Sequence, residues 1–358
     1  ARNFEELRQL RHSRRRQSLE KQSKHHLLAA IAGRQPLGPL IETKQGQAFL
    51  HDLKQLAGAE SPDSVTLDPE LSNSLQRAGY DGSPQVLQQL LVAIGLLKTG
   101  QPARLLGSAW DSSTEAGSLE ARDDPNRRDL THLSCFSIDS ASTQEVDDAI
   151  GLERKEGEVW IWIHIADPHQ WIGPGDGLDL EAQRRGSTLY LSGGSMPMFP
   201  MELARDRMSL RPMRSCAALS VGVLLDEVGA IAAVDPCRSW VKVSYGLTYQ
   251  DADELIELAP PEDPDLADLS ALLKRRTTWR EQAGALLMDQ AEGRLFRNAE
   301  GVLALEVTEP GLARSCVSEA MVLAGAAMAE WSAEKQLAMP YRVQPCLLYT
   351  SPSPRDRV

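Results

Sequence analysis

A chain of 358 residues with 42% hydrophobic and 25% charged residues holds enough apolar surface for two or three domains with a sizeable core. No apolar run reaches the roughly 18 residues needed to span a bilayer and no secretory leader opens the chain, so no membrane partner is expected. The net charge of -12 opposes a polyanion held by the whole surface, although a local basic channel can still focus an attractive field.

Residues 3 to about 33 read as a helix. The first 34 residues carry nine Lys or Arg against three Glu, an asymmetry that suits either a polyanion near the amino terminus or a solvated helix face. Arg34-Gln-Pro-Leu-Gly-Pro39 breaks that pattern. Gln45 to Gly58 reads as a short amphipathic helix. Residues 84 to 98 read as another, with Val86, Leu87, Leu90, Leu91 and Ile94 on its apolar face. Residues 1–105 are therefore expected to form a small, mostly helical domain, and the Ser, Asp, Glu and Arg of 106–130 a polar linker. Ser134–Ile138 and Val159–Ala166 read as strands, the second buried on both faces. Ala217–Leu225 reads as a strand that turns at Asp226-Glu-Val-Gly229 into another. Leu266, Leu269, Leu272, Leu273, Ala283, Leu286 and Leu287 mark a long amphipathic helix, and Val317, Met321, Ala324, Met328 and Trp331 mark one more. The expected class is α+β. Five cysteines, Cys135, Cys216, Cys237, Cys316 and Cys346, form no CxxC pair. Reduced thiols and a cytoplasmic location follow as expectations.

The chemistry concentrates in Ser137-Ile-Asp-Ser-Ala-Ser-Thr-Gln-Glu-Val-Asp-Asp-Ala-Ile150. Ten residues there hold four carboxylates, Asp139, Glu145, Asp147 and Asp148. Carboxylates crowded on one loop repel one another unless a cation or hydrogen-bond donors offset them. A divalent metal with oxygen ligands is the usual solution, which points to metal-assisted phosphodiester chemistry. Adjacent Asp147 and Asp148 point to opposite sides of an extended segment, so both serve one phosphate only if the loop bends or the two act on different metals. An EF-hand is excluded, because residues 139–150 lack the central Gly and the second acid comes six residues late. A solvated acidic turn is the plain alternative. His164 lies in a strand and reads as a packed core residue. No G-x-S-x-G elbow, Walker loop or dinucleotide fingerprint appears, so no nucleotide cofactor is expected.

This acidic stretch resembles the signature of the ribonuclease II / ribonuclease R superfamily, whose catalytic unit is the RNB domain. Further blocks follow in the same order: Ile163–Pro168, Arg184–Leu191, Met196–Pro200 with Met208–Pro212, Val241–Leu255 and Ala313–Ala329. Together they cover about residues 130 to 345. Met339–Pro345 is most similar to the cyanobacterial and plastid branch. The resemblance implies an α+β catalytic domain with a narrow channel for single-stranded RNA, here a partial one over residues 131–345. It also implies processive hydrolysis from the 3′ end to nucleoside 5′-monophosphates with Mg2+. Asp139, Glu145, Asp147 and Asp148 match its magnesium site, with Asp147 the residue whose loss should stop chemistry. Glu145 departs from the family's usual Asp. Tyr190 matches the tyrosine that stacks on the terminal base and Tyr249 a second RNA-proximal position. Glu319 matches an acid near the 3′ nucleotide, or else is a solvated face residue. Arg184, Arg185, Arg205, Arg207, Arg211 and Arg214 are candidates for the phosphate path, some of them plain surface charges. The chain is expected to act as a monomer.

Both ends read as cut. The chain opens at Ala1, and Cys346 to Asp356 is similar to a translated sequencing adapter, so 346–358 is expected to be a non-native tail. The parent is expected to continue past Pro345 into a Thr-Ser-Pro-Ile-Arg-like block and an RNA-binding barrel, and the fragment alone to be impaired. The alternatives are an RNA-binding or regulatory protein with a degenerate nuclease domain, which Glu145 keeps open, and a hydrolase of small phosphoesters.

Overall fold

The computed structural model describes residues 2–98, 101–108, 110, 120–141, 143–191, 194–287, 291–297 and 302–342. The expected tail 346–358 lies outside the described residues. In chain order the helices α1 (Arg2–Ala32), α2 (Lys44–Gly58), α3 (Pro69–Arg77) and α4 (Pro84–Ala93) come first. Strands β1 (Arg128–Asp129), β2 (Cys135–Asp139), β3 (Asp148–Lys155) and β4 (Glu158–Ala166) follow. Next are α5 (Gly177–Arg185), β5 (Leu189–Leu191), β6 (Gly194–Met196), β7 (Ser215–Leu225), β8 (Ile231–Lys242) and β9 (Tyr245–Thr248). Then come α6 (Tyr249–Leu258), α7 (Asp265–Gln282), β10 (Glu292–Arg297), β11 (Leu303–Thr308) and α8 (Leu312–Glu334).

These elements form two compact units, Ala1–Ser118 with Pro174–Met201 and Gly293–Val307, and Leu119–Gly173 with Glu202–Glu292 and Thr308–Val358. In the first, Leu27 and Ile31 of α1 pack with Phe49, Leu53, Leu71, Leu75, Leu87, Leu90, Leu91 and Ile94. The helix starts follow capping rules: Thr43 accepts from Gly46 N, Asp68 from Glu70 N and Leu71 N, and Ser83 from Val86 N. Pro69 and Pro84 occupy first turns, where a missing N–H costs nothing. Helix α4 stops at Ala93 rather than at the expected Lys98, because the chain turns through Gly95 at φ +80°. Leu106, expected in the polar linker, is buried in this helical core.

The second unit is a seven-stranded sheet in the order β1-β8-β7-β4-β3-β2-β9. The pairs from β2 through β8 are antiparallel, while β1 joins β8 and β9 joins β2 in parallel. One face carries Phe136, Ile138, Ile150, Leu152, Ile161, Ile163, Val221 and Val223 against Leu266, Leu269 and Leu273 of α7 and Ala313, Ala320, Leu323 and Ala327 of α8. The other face buries Cys135, Ala149, Trp162, Ala218 and Val241. Strand β4 is thus covered on both sides, as its weak alternation requires. Arg127 to Leu130, expected in the linker, belong to this sheet unit. There Arg127 is buried against Asp167, Gln170 and Trp240, and Leu130 N donates to Trp240 O. Helix α7 ends at Gln282, before the expected Leu286, because Gly284 turns at φ +96°; Leu286 is 93% exposed. By length and composition α8 could cross a membrane, but its buried face packs on the sheet and holds an ion pair, which marks a core helix.

Gly222 sits opposite Trp162 in the β4–β7 register, and a Cβ there would come within 2.9 Å of the indole ring. Because Trp162 is fully buried it has nowhere to move. Gly222→Ala is therefore expected to lower stability by about 1–3 kcal/mol in chemical denaturation, with an unchanged midpoint counting against this close-packing account.

Candidate active site

The acidic stretch bridges the end of β2 and the start of β3. Asp139 closes β2 and pairs with Thr248 of β9; Asp148 opens β3 and pairs with Ile165 of β4. The loop between them is tied down by backbone and hydroxyl contacts. Val146 N donates to the Ser209 hydroxyl at 2.9 Å, Leu210 N to Val146 O at 2.8 Å, and Ala166 N to Asp147 O at 2.8 Å. The Arg211 guanidinium donates to Gln144 O at 3.0 Å. Thr143 Oγ1 donates to the Asp139 carboxylate at 2.9 Å. Sheet register and the 209–211 segment therefore hold the acids in place. Ser209 is fully buried and was not legible as a support, since an isolated Ser in sequence carries no such signal.

All four carboxyls are pushed above the usual carboxylate range, each chiefly by loss of water around it. Asp139 is raised by burial, which outweighs the Thr143 and Ser140 hydrogen bonds and the nearby Arg314 charge. Glu145 is raised by burial and then by Asp147, with Arg205 opposing. Asp147 is raised by burial and by Asp139, although the residue as a whole is exposed, so solvent screens it. Asp148 is raised to about 6 by burial, then by Asp139 and Asp147. Each group feels at least one other as a like charge, except that Asp139 is offset by Arg314. That mutual crowding is what a cation would relieve.

The donor set is all oxygen, as a hard divalent cation takes. Among the described residues, however, no three acidic, His or Cys side chains are gathered closely enough to hold a metal as they stand. The hydroxyl of Thr143 occupies one oxygen of Asp139, and Glu145 carries one methylene more than Asp. The residues suit the ion by chemistry, and closing on it requires their side chains to turn inward.

The structure separates the other candidates. Tyr249 follows Thr248, the strand partner of Asp139, and lies under Arg314, whose guanidinium is 4.2 Å from the ring centre. Arg314 thus links Tyr249 to Asp139, a role the sequence reading missed although its block was recognised. Arg205 sits in the π-helical turn Leu203–Arg207, its charge acting on Glu145 and its buried Nε without a partner. A π-turn of this kind often re-aims a functional side chain. Arg207 lies over Trp171, and Arg214 is exposed. Glu319 is not on a solvated face: it is buried and accepts from Arg280 Nη1 at 2.6 Å, leaving Oε1 without a hydrogen bond. Tyr190 belongs to the first unit, on the β5–β6 hairpin, and is 74% exposed. Arg184 and Arg185 are in that unit too, and both pair with Glu181. His164 is a core residue: Nε2 lies 3.3 Å from Cys135 Sγ, Nδ1 lies 2.6 Å from Ser220 Oγ, and burial holds its pKa down at about 3.

Comparison with known proteins follows the same lines. The RNB domain matches residues 127–355. An uncharacterised ribonuclease of Synechocystis sp. is 36% identical over 282 residues, covering 76% of this chain and 42% of that protein. The chloroplastic/mitochondrial ribonuclease II of Arabidopsis thaliana is 37% identical over 262 residues, covering 71% of this chain and 32% of that protein. Among solved structures, an active-site mutant of the Dss1 exoribonuclease from Candida glabrata aligns with a TM-score of 0.63 at 18% identity, over 88% of this chain and 44% of that one. That likeness shows the fold. The chain spans less than half the length of these relatives.

The Asp148 carboxyl titrates near 6 in the fold and near 3.8 when unperturbed. Between those values the folded state holds the extra proton, so this group's contribution is favourable at low pH and is lost as pH rises from about 4 through 6. In chelator-containing buffer Asp148→Asn is expected to abolish that decline and to be more stable than the parent at pH 7 by on the order of 2 kcal/mol. Thermal melts of both chains at pH 4 and pH 7 measure it; equal differences at the two pH values would contradict a carboxyl raised by burial and its acidic neighbours.

Proposed function

The chain belongs to the RNB domain family, matched over residues 127–355, and from that premise we propose that the protein is a magnesium-dependent exoribonuclease acting on single-stranded RNA. It shortens its substrate from the 3′ end and releases nucleoside 5′-monophosphates, with residues 131–345 contributing the catalytic domain. The observation that carries this reading is the set of four carboxyls crowded along the loop from the end of β2 to the start of β3, three of them partly buried and each raised above its ordinary range.

Asp139, Glu145, Asp147 and Asp148 would hold the magnesium. When bound, the ion supplies charge neutralisation at the scissile phosphate and a lowered pKa for water. The chain's own groups do the rest. Arg314, beside Asp139, and Arg205, beside Glu145, place positive charge at the acid site and can orient a phosphate there. The exposed Tyr190 offers an aromatic face that takes any base, since every base stacks, while Tyr249, partly buried under Arg314, stands next to the strand partner of Asp139. Such contacts fit an enzyme that must process a strand without regard to sequence.

A second reading is favoured by two features of the site, Glu145 in place of Asp and acids not gathered on one point. It is an RNA-binding or regulatory protein that retains the strand without cutting it. One assay separates the two. Full-length protein is incubated with 5′-labelled single-stranded RNA and magnesium. The expected result is a ladder of shortening products whose rate falls about a hundredfold or more in Asp147→Asn. Retention of RNA with no shortening favours the binder, and strong inhibition of a small phosphoester's hydrolysis by single-stranded RNA argues against a phosphoesterase.

A further inference from the structure

Helix α1 holds charge that the proposed site does not use. Among the described residues its anchors lie in the last turns: Leu27 and Ile31 enter the helical core, and Lys24 pairs with Asp68 and Glu70. Residues 17–22 are exposed on every side of the helix, and so are Arg8, Arg11, Arg14 and Arg15. Arg8, Arg11, Arg14, Arg15 and Lys21 form no ion pair with any described residue. The pairs Arg8–Arg11, Arg11–Arg14 and Arg11–Arg15 are like charges at three- and four-residue spacing, an arrangement that destabilises a helix in water. Among the described side chains of residues 8–22 this repulsion is offset by no burial, and a bound polyanion removes it.

The chemistry selects the polyanion. A helix that lies on a membrane needs an apolar face with large anchors. Residues 8–22 contain no aromatic residue, and their leucines are only Leu10 and Leu19. A protein partner would likewise want buried aromatic or aliphatic anchors. A nucleic-acid backbone needs only a row of cations. From Arg8 to Lys21 the row runs about 20 Å along the helix, at 1.5 Å per residue. We propose that this exposed part of α1 is a phosphate-backbone docking track for RNA that uses none of the acid-site residues. The inference rests on the reading of the protein as one that handles RNA.

Binding tests it without catalysis. The chain, in buffer with chelator, is titrated into a 5′-labelled single-stranded polyuridine, and anisotropy is followed from 50 to 300 mM salt. A variant carries Arg8→Gln, Arg11→Gln, Arg14→Gln, Arg15→Gln and Lys21→Gln, which preserve helix propensity. Each lost phosphate contact removes about 0.7 from the slope of log affinity against log salt, so five contacts correspond to a slope smaller by about 3.5. The expected result is that smaller slope and an affinity at least tenfold lower at 50 mM salt, with circular dichroism and melting temperature unchanged. An unchanged slope overturns the proposal while leaving the RNA reading intact. No RNA binding by either chain overturns both. Charge-dependent binding to vesicles of phosphatidylcholine and phosphatidylserine, without any to polyuridine, overturns the track in favour of a lipid surface.

Discussion

Four carboxyls crowded along the loop that joins two neighbouring strands, three of them partly withdrawn from water, are the costly feature that the surrounding structure must sustain. Burial raises each of them and mutual repulsion adds to it for three, so the local arrangement is unfavourable until something positive enters. The sheet can hold it because the backbone that carries the acids is fixed. Asp139 and Asp148 are pinned by strand register, and the intervening loop is bonded to Ser209, Leu210 and Ala166. Functional sites commonly store an electrostatic cost of this sort and rely on the rest of the fold to offset it.

The offset comes from a sheet packed on both faces. Its helix side is aliphatic apart from Phe136 and its other side mixes Trp162 with small residues, Gly222 and Gly151 making room beside strands β4 and β2. Through that second face runs a hydrogen-bonded thread of Cys135, His164, Ser220 and Ser239. A thiol beside an imidazole resembles a nucleophile with its base. Here burial holds the imidazole neutral, with a pKa of about 3, and pushes the thiol up to about 12. Neither group ionises at neutral pH, so the thread serves to satisfy buried polar groups across the strands rather than to react.

Charge is distributed unevenly along the chain. The acid site is served by arginines from two distant segments, Arg205 in a π-turn and Arg314 in the first turn of α8, while the exposed cations of α1 lie far away in sequence. The total of -12 hides this pattern, which is why net charge alone says little about polyanion binding.

Much of this was legible in the order of residues. The four acids, the buried strand 159–166, the hairpin turning at Asp226 and the helices α2 and α4 are all written in local composition and spacing, because periodicity acts over a few residues. The tertiary structure decided what depends on distant partners. Glu319 looks like a surface residue on its helix until Arg280, 39 residues away, is packed beside it. Arg127 looks like part of a polar linker until Asp167 and Gln170 enclose it. Arg314 and Ser209 gain meaning only when α8 and the 209–211 segment are brought to the acidic loop. Pairing and desolvation are properties of three-dimensional neighbours, and no window of sequence contains them.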